Sequence, residues 1–180
     1  SMGRFYWPKI DAFIYYWLVM NLAREVPTQQ MFNEFIYLVQ KRELQPDQVM
    51  AELHRFGQIY RFLEDAPEDQ KPTGRFFYRW RAMDAGALTP FLLWVYANEE
   101  VIGDVEPILA LIESWLVRRM ICRSTTKNYN RFLHALLKKL MEGQPQFAMA
   151  TILEHFSGAE AETTEWPTDE QVMSAVLENP

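Results

Sequence analysis

The sequence predicts an all-α protein, an array of about eight helices that is bundle-like or orthogonally packed, and three observations predict it. Apolar residues recur at three-and-four spacing in nearly every long segment. Prolines and hydroxyl residues fall where helices would begin. No alternating strand pattern, Asn-Gly hairpin or internal repeat interrupts them. With 180 residues, 49 % of them hydrophobic and 14 % aromatic, the chain is long enough for a real core and excludes disorder as its general state.

The elements follow in order. Ile10, Phe13, Ile14, Trp17 and Leu18 form one face of a first helix. Tyr15, Tyr16, Val19 and Met20 on its other face predict a central position, and Pro27 is expected to stop it. Thr28 is placed to cap a second helix with the stripe Phe32, Phe35, Ile36 and Val39. Pro46 opens a third with Val49, Leu53, Phe56, Tyr60 and Leu63 inward. Residues 65–74 read as a loop, and 75–84 as a short aromatic and basic helix. Thr89-Pro90 starts the apolar stretch 91–97. Asp104 caps a helix burying Val105, Ile108, Leu109, Ile112, Trp115 and Leu116. Ser124, Thr125 and Thr126 break that pattern, and a helix then runs to about Met141, ended by Gly143. A shorter helix spans about 146–156. Residues 1–156 are therefore expected to form a helical domain, and 157–165, small and acidic, a mobile linker. Residues 166–180 would start a following helical segment, with Thr168 and Gln171 in a capping-box pattern.

Composition excludes several chemistries. A single cysteine, Cys122, rules out an internal disulfide framework and a Cys-cluster zinc site, and favours a cytoplasmic location. The apolar run 12–20 is too short to span a membrane, and no secretory leader is expected. Ser1 ahead of Met2 reads as a cloning remnant, so the chain is expected to be a piece of a longer protein. His54 has no second His four residues away to complete a metal site. Glu154 and His155 are adjacent, and adjacent helical residues point about 100° apart. Gly-x-Ser-x-Gly, Walker and Gly-x-Gly-x-x-Gly patterns are absent. No catalytic residue, metal ligand or cofactor is nominated.

Charge is more informative. The formal net charge is −6, from 18 basic and 24 acidic side chains. Seven of the basic ones lie within residues 118–141, a stretch with no Asp or Glu, so the remainder carries 11 basic against 24 acidic side chains, a net of −13. Such asymmetry points to a local anion-binding surface. At 100° per residue, Lys127, Arg131, His134 and Lys138 fall on one helix side, opposite Tyr129, Phe132, Leu133, Leu136, Leu137 and Leu140. Arg118, Arg119, Arg123, Lys127, Asn128, Asn130, Arg131, His134 and Lys138 are the candidate DNA-phosphate contacts. Trp115, Tyr129 and Phe132 are assigned to packing. The competing reading of the basic row is a solvated or internally salt-bridged face.

Glu113-Ser114-Trp115-Leu116-Val117-Arg118-Arg119-Met120-Ile121-Cys122, followed by Thr125-Thr126-Lys127-Asn128-Tyr129-Asn130-Arg131, closely resembles a segment of GmrSD-type modification-dependent restriction proteins. Trp166-Pro167-Thr168-Asp169-Glu170 resembles a second landmark of that family, in the same order. The resemblance implies a bacterial parent protein with an N-terminal ParB/sulfiredoxin-like nucleotidase and a C-terminal HNH-type nuclease. Neither the Asp-Gly-Gln-Gln-Arg-like nor the Glu-His-Ile-x-Pro-Gln-like motif of those domains is present; Glu154-His155-Phe156 lacks the Pro-Gln and precedes the second landmark. The resemblance thus implies a non-catalytic helical middle domain of a DNA restriction, phage-defence protein. It would couple nucleotidase to nuclease, with DNA and the flanking domains as partners. The alternative is a protein-interaction or oligomerisation module.

Overall fold

The computed structural model describes residues 9–67, 69–159 and 161–178. Among them the protein is all-α, without strands. The helices are α1 (Lys9–Leu22), α2 (Met31–Lys41), α3 (Pro46–Asp65), α4 (Pro72–Ala82), α5 (Thr89–Ala97), α6 (Glu99–Ile102), α7 (Glu106–Ile121), α8 (Tyr129–Glu142), α9 (Ala148–Ser157) and α10 (Asp169–Glu178). Ten α-helices exceed the expected eight because residues 99–102 close into a single turn and 169–178 form a complete helix.

Local chemistry accounts for the ends. Pro46 occupies the first turn of α3, and Gln45 and Gln48 cap each other's backbone reciprocally. Thr168 and Gln171 do the same at α10, through bonds of 2.7 and 3.2 Å. The Glu106 N–H donates to the Asp104 carboxylate at the start of α7. The chain turns left-handed after α1, α2, α4 and α7 at Ala23, Glu43, Asp84 and Arg123, with φ between 49° and 52°. Glycine usually fills such positions; any other residue costs about 1–2 kcal/mol in that conformation.

Three expectations are corrected here. α1 stops at Leu22, at the left-handed Ala23 and ahead of Pro27. The inward face of α2 is Leu38 with half-buried Met31 and Phe35, whereas Phe32 is exposed, because the 3-10 turn Thr28–Gln30 rotates the entry to the helix. Helix α4 begins at Pro72, inside the expected loop. A Cβ on Gly74 would lie 2.7 Å from the Asp69 backbone nitrogen, so only glycine lets the preceding loop pass so close.

The centre of the fold is α5, where every residue from Thr89 to Val95 is buried. It is apolar all round, as a fully enclosed helix must be. Helices α1, α3 and α8 pack around it, α1 with Phe13, Trp17, Leu18, Val19 and Met20 inward. Helix α7 packs on α4, α9 and α10.

Part of the stretch expected as a mobile linker packs against α7. The indole N–H of Trp115 donates to the Thr164 carbonyl at 3.2 Å, Thr164 is itself buried, and Trp166 packs edge-on against Phe156. Arg118 donates to the Pro167 carbonyl at 3.0 Å and pairs with the Asp169 carboxylate. Residues 161–168 are thereby fastened to α7.

Candidate nucleic-acid interface

The nine candidate contacts separate by position. Arg119 is fully buried. It follows Ile112, Trp115 and Leu116 on the inward stripe of α7, so its side chain enters the core. All five of its N–H donors are used: Nε on the Tyr129 hydroxyl (2.9 Å), Nη1 on the carbonyls of Glu165 (2.9 Å) and Glu162 (3.3 Å), Nη2 on those of Thr125 (2.9 Å) and Glu162 (3.3 Å). The guanidinium also lies 5.6 and 5.4 Å from the ring centres of Trp115 and Tyr129. Arg119 is therefore removed from the phosphate-contact set. Its charge is balanced by carbonyl dipoles and aromatic faces.

Arg118 is half-buried and committed to Pro167 and Asp169. His134 is half-buried, facing Tyr15, Tyr16, Val19 and Pro90 across a small cavity of about 170 Å³. Burial pushes its imidazole below the usual histidine range, and Glu25 offsets this only in part. Burial thus disfavours its charged form, and it makes a poor phosphate anchor. Lys138 is exposed but lies 3.9 Å from Glu142 one turn on, an acidic neighbour within α8 itself. Lys127 does not belong to α8. The helix begins at Tyr129, after Asn128 in left-handed backbone (φ 82°), so helical spacing cannot place Lys127 in line with Arg131 and Lys138.

Four candidates do converge. Arg123, Lys127, Asn128 and Asn130 are exposed and line one open cleft of about 790 Å³ between the α7–α8 connection and the turn after α4. Ser124 and Thr126 add hydroxyls, Met83, Leu116, Met120 and Tyr129 form an apolar wall, and Asp84 is the single carboxylate among the lining residues. Arg131 is exposed in the first turn of α8 just beyond. Arg123, Lys127 and Arg131 have no ion-pair partner among the described residues. No side chain caps α8. The Asn128 side-chain amide donates through Nδ2 to the Thr163 hydroxyl (3.2 Å). The Tyr129 N–H donates to the Thr126 carbonyl (3.1 Å), and the first-turn amides of Asn130 and Arg131 have no partner among the described residues.

Trp115, Tyr129 and Phe132 pack together, with Trp115 4.6 Å from Tyr129 and 5.7 Å from Phe132 between ring centres. Trp115 is buried and the other two join the core. His155 stacks on Phe132 at 4.2 Å and donates through Nε2 to the Phe132 carbonyl. Burial, chiefly, lowers its imidazole below the usual range. Among the described residues no three His, Cys, Asp or Glu side chains gather where they could hold a metal ion. Sequence reasoning missed the left-handed Asn128 and the buried role of Arg119. The second had a visible signal, an arginine in register with Ile112, Trp115 and Leu116. No family, curated protein or solved structure matches the chain.

Proposed function

We propose that this chain is a non-catalytic helical domain of a bacterial, cytoplasmic DNA restriction and phage-defence protein. It contacts DNA phosphates through Arg123, Lys127, Asn128, Asn130 and Arg131, and it holds neighbouring nucleotidase and nuclease domains in register. The observation that carries this reading is the convergence, on one cleft of an otherwise acidic chain, of cations that have no ion-pair partner among the described residues. Phosphate contacts of this kind give affinity without sequence preference. No described helix is long and apolar enough to cross a membrane. The test is binding of a fluorescent DNA duplex at low salt by the chain and by Arg123→Glu/Lys127→Glu/Arg131→Glu. All three side chains are exposed, so the variant should fold normally and lose binding; equal binding by both proteins rejects the reading.

A second reading, an interaction or oligomerisation module, is favoured by α10. Met173, Val176 and Leu177 are 64 %, 53 % and 78 % exposed at three-and-four spacing, an apolar stripe with nothing packed on it among the described residues. Sedimentation of the chain as a dimer, lost in Met173→Glu/Leu177→Glu, would favour it.

A further inference from the structure

Four of the five bonds made by Arg119 end on backbone carbonyls, and these belong to two separate loops. Thr125 lies in the connection between α7 and α8, and Glu162 and Glu165 in the segment before α10. Among the described residues no carboxylate pairs with the guanidinium, which is fully buried. If the segment 161–165 lifted away, three of the five bonds would go at once, and a buried cation would be left with bare N–H groups. Partly open arrangements are therefore disfavoured. The segment is either seated, with Arg119 saturated, or released, with Arg119 hydrated. That is a two-position element of the kind that can carry coupling.

Its two sides face different places. Thr125 stands between Arg123 and Lys127, and Asn128 ties the same connection to Thr163. On the other side, Arg118 fastens Pro167 and Asp169, the first residue of α10. Cleft rim, buried guanidinium and α10 are thus linked by hydrogen bonds joined through short stretches of backbone, 123–125 on one side and 165–169 on the other.

We infer that Arg119 is a positioning residue that couples occupancy of the 123–130 cleft to the seating of α10 on α7. This rests on the proposed reading of the cleft as a polyanion site. A phosphate backbone spanning Arg123 and Lys127 fixes the connection between them and with it the Thr125 carbonyl. It thereby binds the seated form better than the released one. By linkage, the seated α10 strengthens binding at the cleft by the same factor.

The experiment is amide hydrogen exchange on the full chain, with and without a short DNA duplex at low salt, in the original protein, Arg119→Lys and Thr163→Val. Lysine keeps the charge and the stem but has three donors at one point, so it cannot reach both loops. Without DNA, exchange at 123–130 and at 161–168 should rise together, about tenfold or more in Arg119→Lys and severalfold in Thr163→Val, which removes only the exposed bond from Asn128 and leaves its left-handed backbone untouched. With DNA, both segments should slow in the original protein, but only 123–130 in Arg119→Lys. Coupling is overturned if either variant loosens one segment alone, or if DNA protects the cleft of the original protein while 161–172 is unmoved. DNA that protects neither segment rejects the phosphate-binding reading instead, and the DNA-free comparison of the variants then decides the coupling.

Discussion

Replacing Arg119 by methionine removes the charge while keeping most of the stem volume. The carbonyls of Thr125, Glu162 and Glu165 and the Tyr129 hydroxyl then lose their shared donor. A buried acceptor left bare costs about 1–3 kcal/mol, so four of them set a ceiling near about 12 kcal/mol. Two effects reduce it. The 161–165 segment can swing into water and rehydrate its carbonyls, and the variant no longer carries the desolvation cost of a buried cation. Swinging out, however, uncovers Thr164 and strips the Trp115 indole of its acceptor. A net loss of about 3 kcal/mol is expected, a large part of the 5–15 kcal/mol typical of a domain. Arg119→Lys, which keeps the charge and some of the bonds, should lose about half as much. Urea unfolding followed by tryptophan fluorescence and far-ultraviolet circular dichroism measures both. A methionine variant within about 0.5 kcal/mol of the original protein, at an unchanged denaturant slope, would refute the claim that Arg119 fastens the two loops.

Two further outcomes follow from buried polar groups. The Tyr96 hydroxyl is buried without a hydrogen-bond partner among the described residues, and burial raises its ionisation well above the usual tyrosine range, so Tyr96→Phe should be neutral or stabilising by about 1 kcal/mol in urea unfolding; a loss above 1 kcal/mol would mean that the hydroxyl is satisfied. His134 and His155 have lowered pKa values in the folded chain, so the unfolded chain takes up more protons as pH falls through the ordinary value of 6.5. Stability should be complete above about pH 7.5 and decline toward pH 5.5, by at most about 1.4 kcal/mol per pH unit for each histidine. The double variant His134→Gln/His155→Gln should flatten that decline, and an unaltered profile would contradict the assignment.

Much of the helical architecture is legible in the sequence because apolar spacing, Pro46, Thr89-Pro90 and the Thr168–Gln171 pair are local signals, and local geometry decides them. What escapes is set by tertiary contacts or backbone conformation. Ala23 and Arg123 close their helices in a left-handed conformation that neither residue type advertises. Lys127 has the right spacing for a row with Arg131, yet the left-handed Asn128 delays α8 until Tyr129. Residues 157–165 have few apolar anchors, which makes them read as a linker. The described part is held instead by donors from Trp115 and Arg119, more than forty residues away in sequence. For the candidate site, charge asymmetry singled out the stretch that lines the cleft. It could not tell an arginine turned into the core, Arg119, from one turned to solvent, Arg123.

The measurement that tests the phosphate-contact claim most directly is the salt dependence of duplex binding. If Arg123, Lys127 and Arg131 meet phosphates, log K should fall linearly with log salt concentration, with a slope of about −2 to −3, since each phosphate neutralised on duplex DNA contributes about −0.9. Charge reversal at Arg131 alone should reduce the slope by about one such step and weaken binding equally on unrelated sequences. A slope near zero, or one unaltered when all three side chains are reversed, would contradict the account.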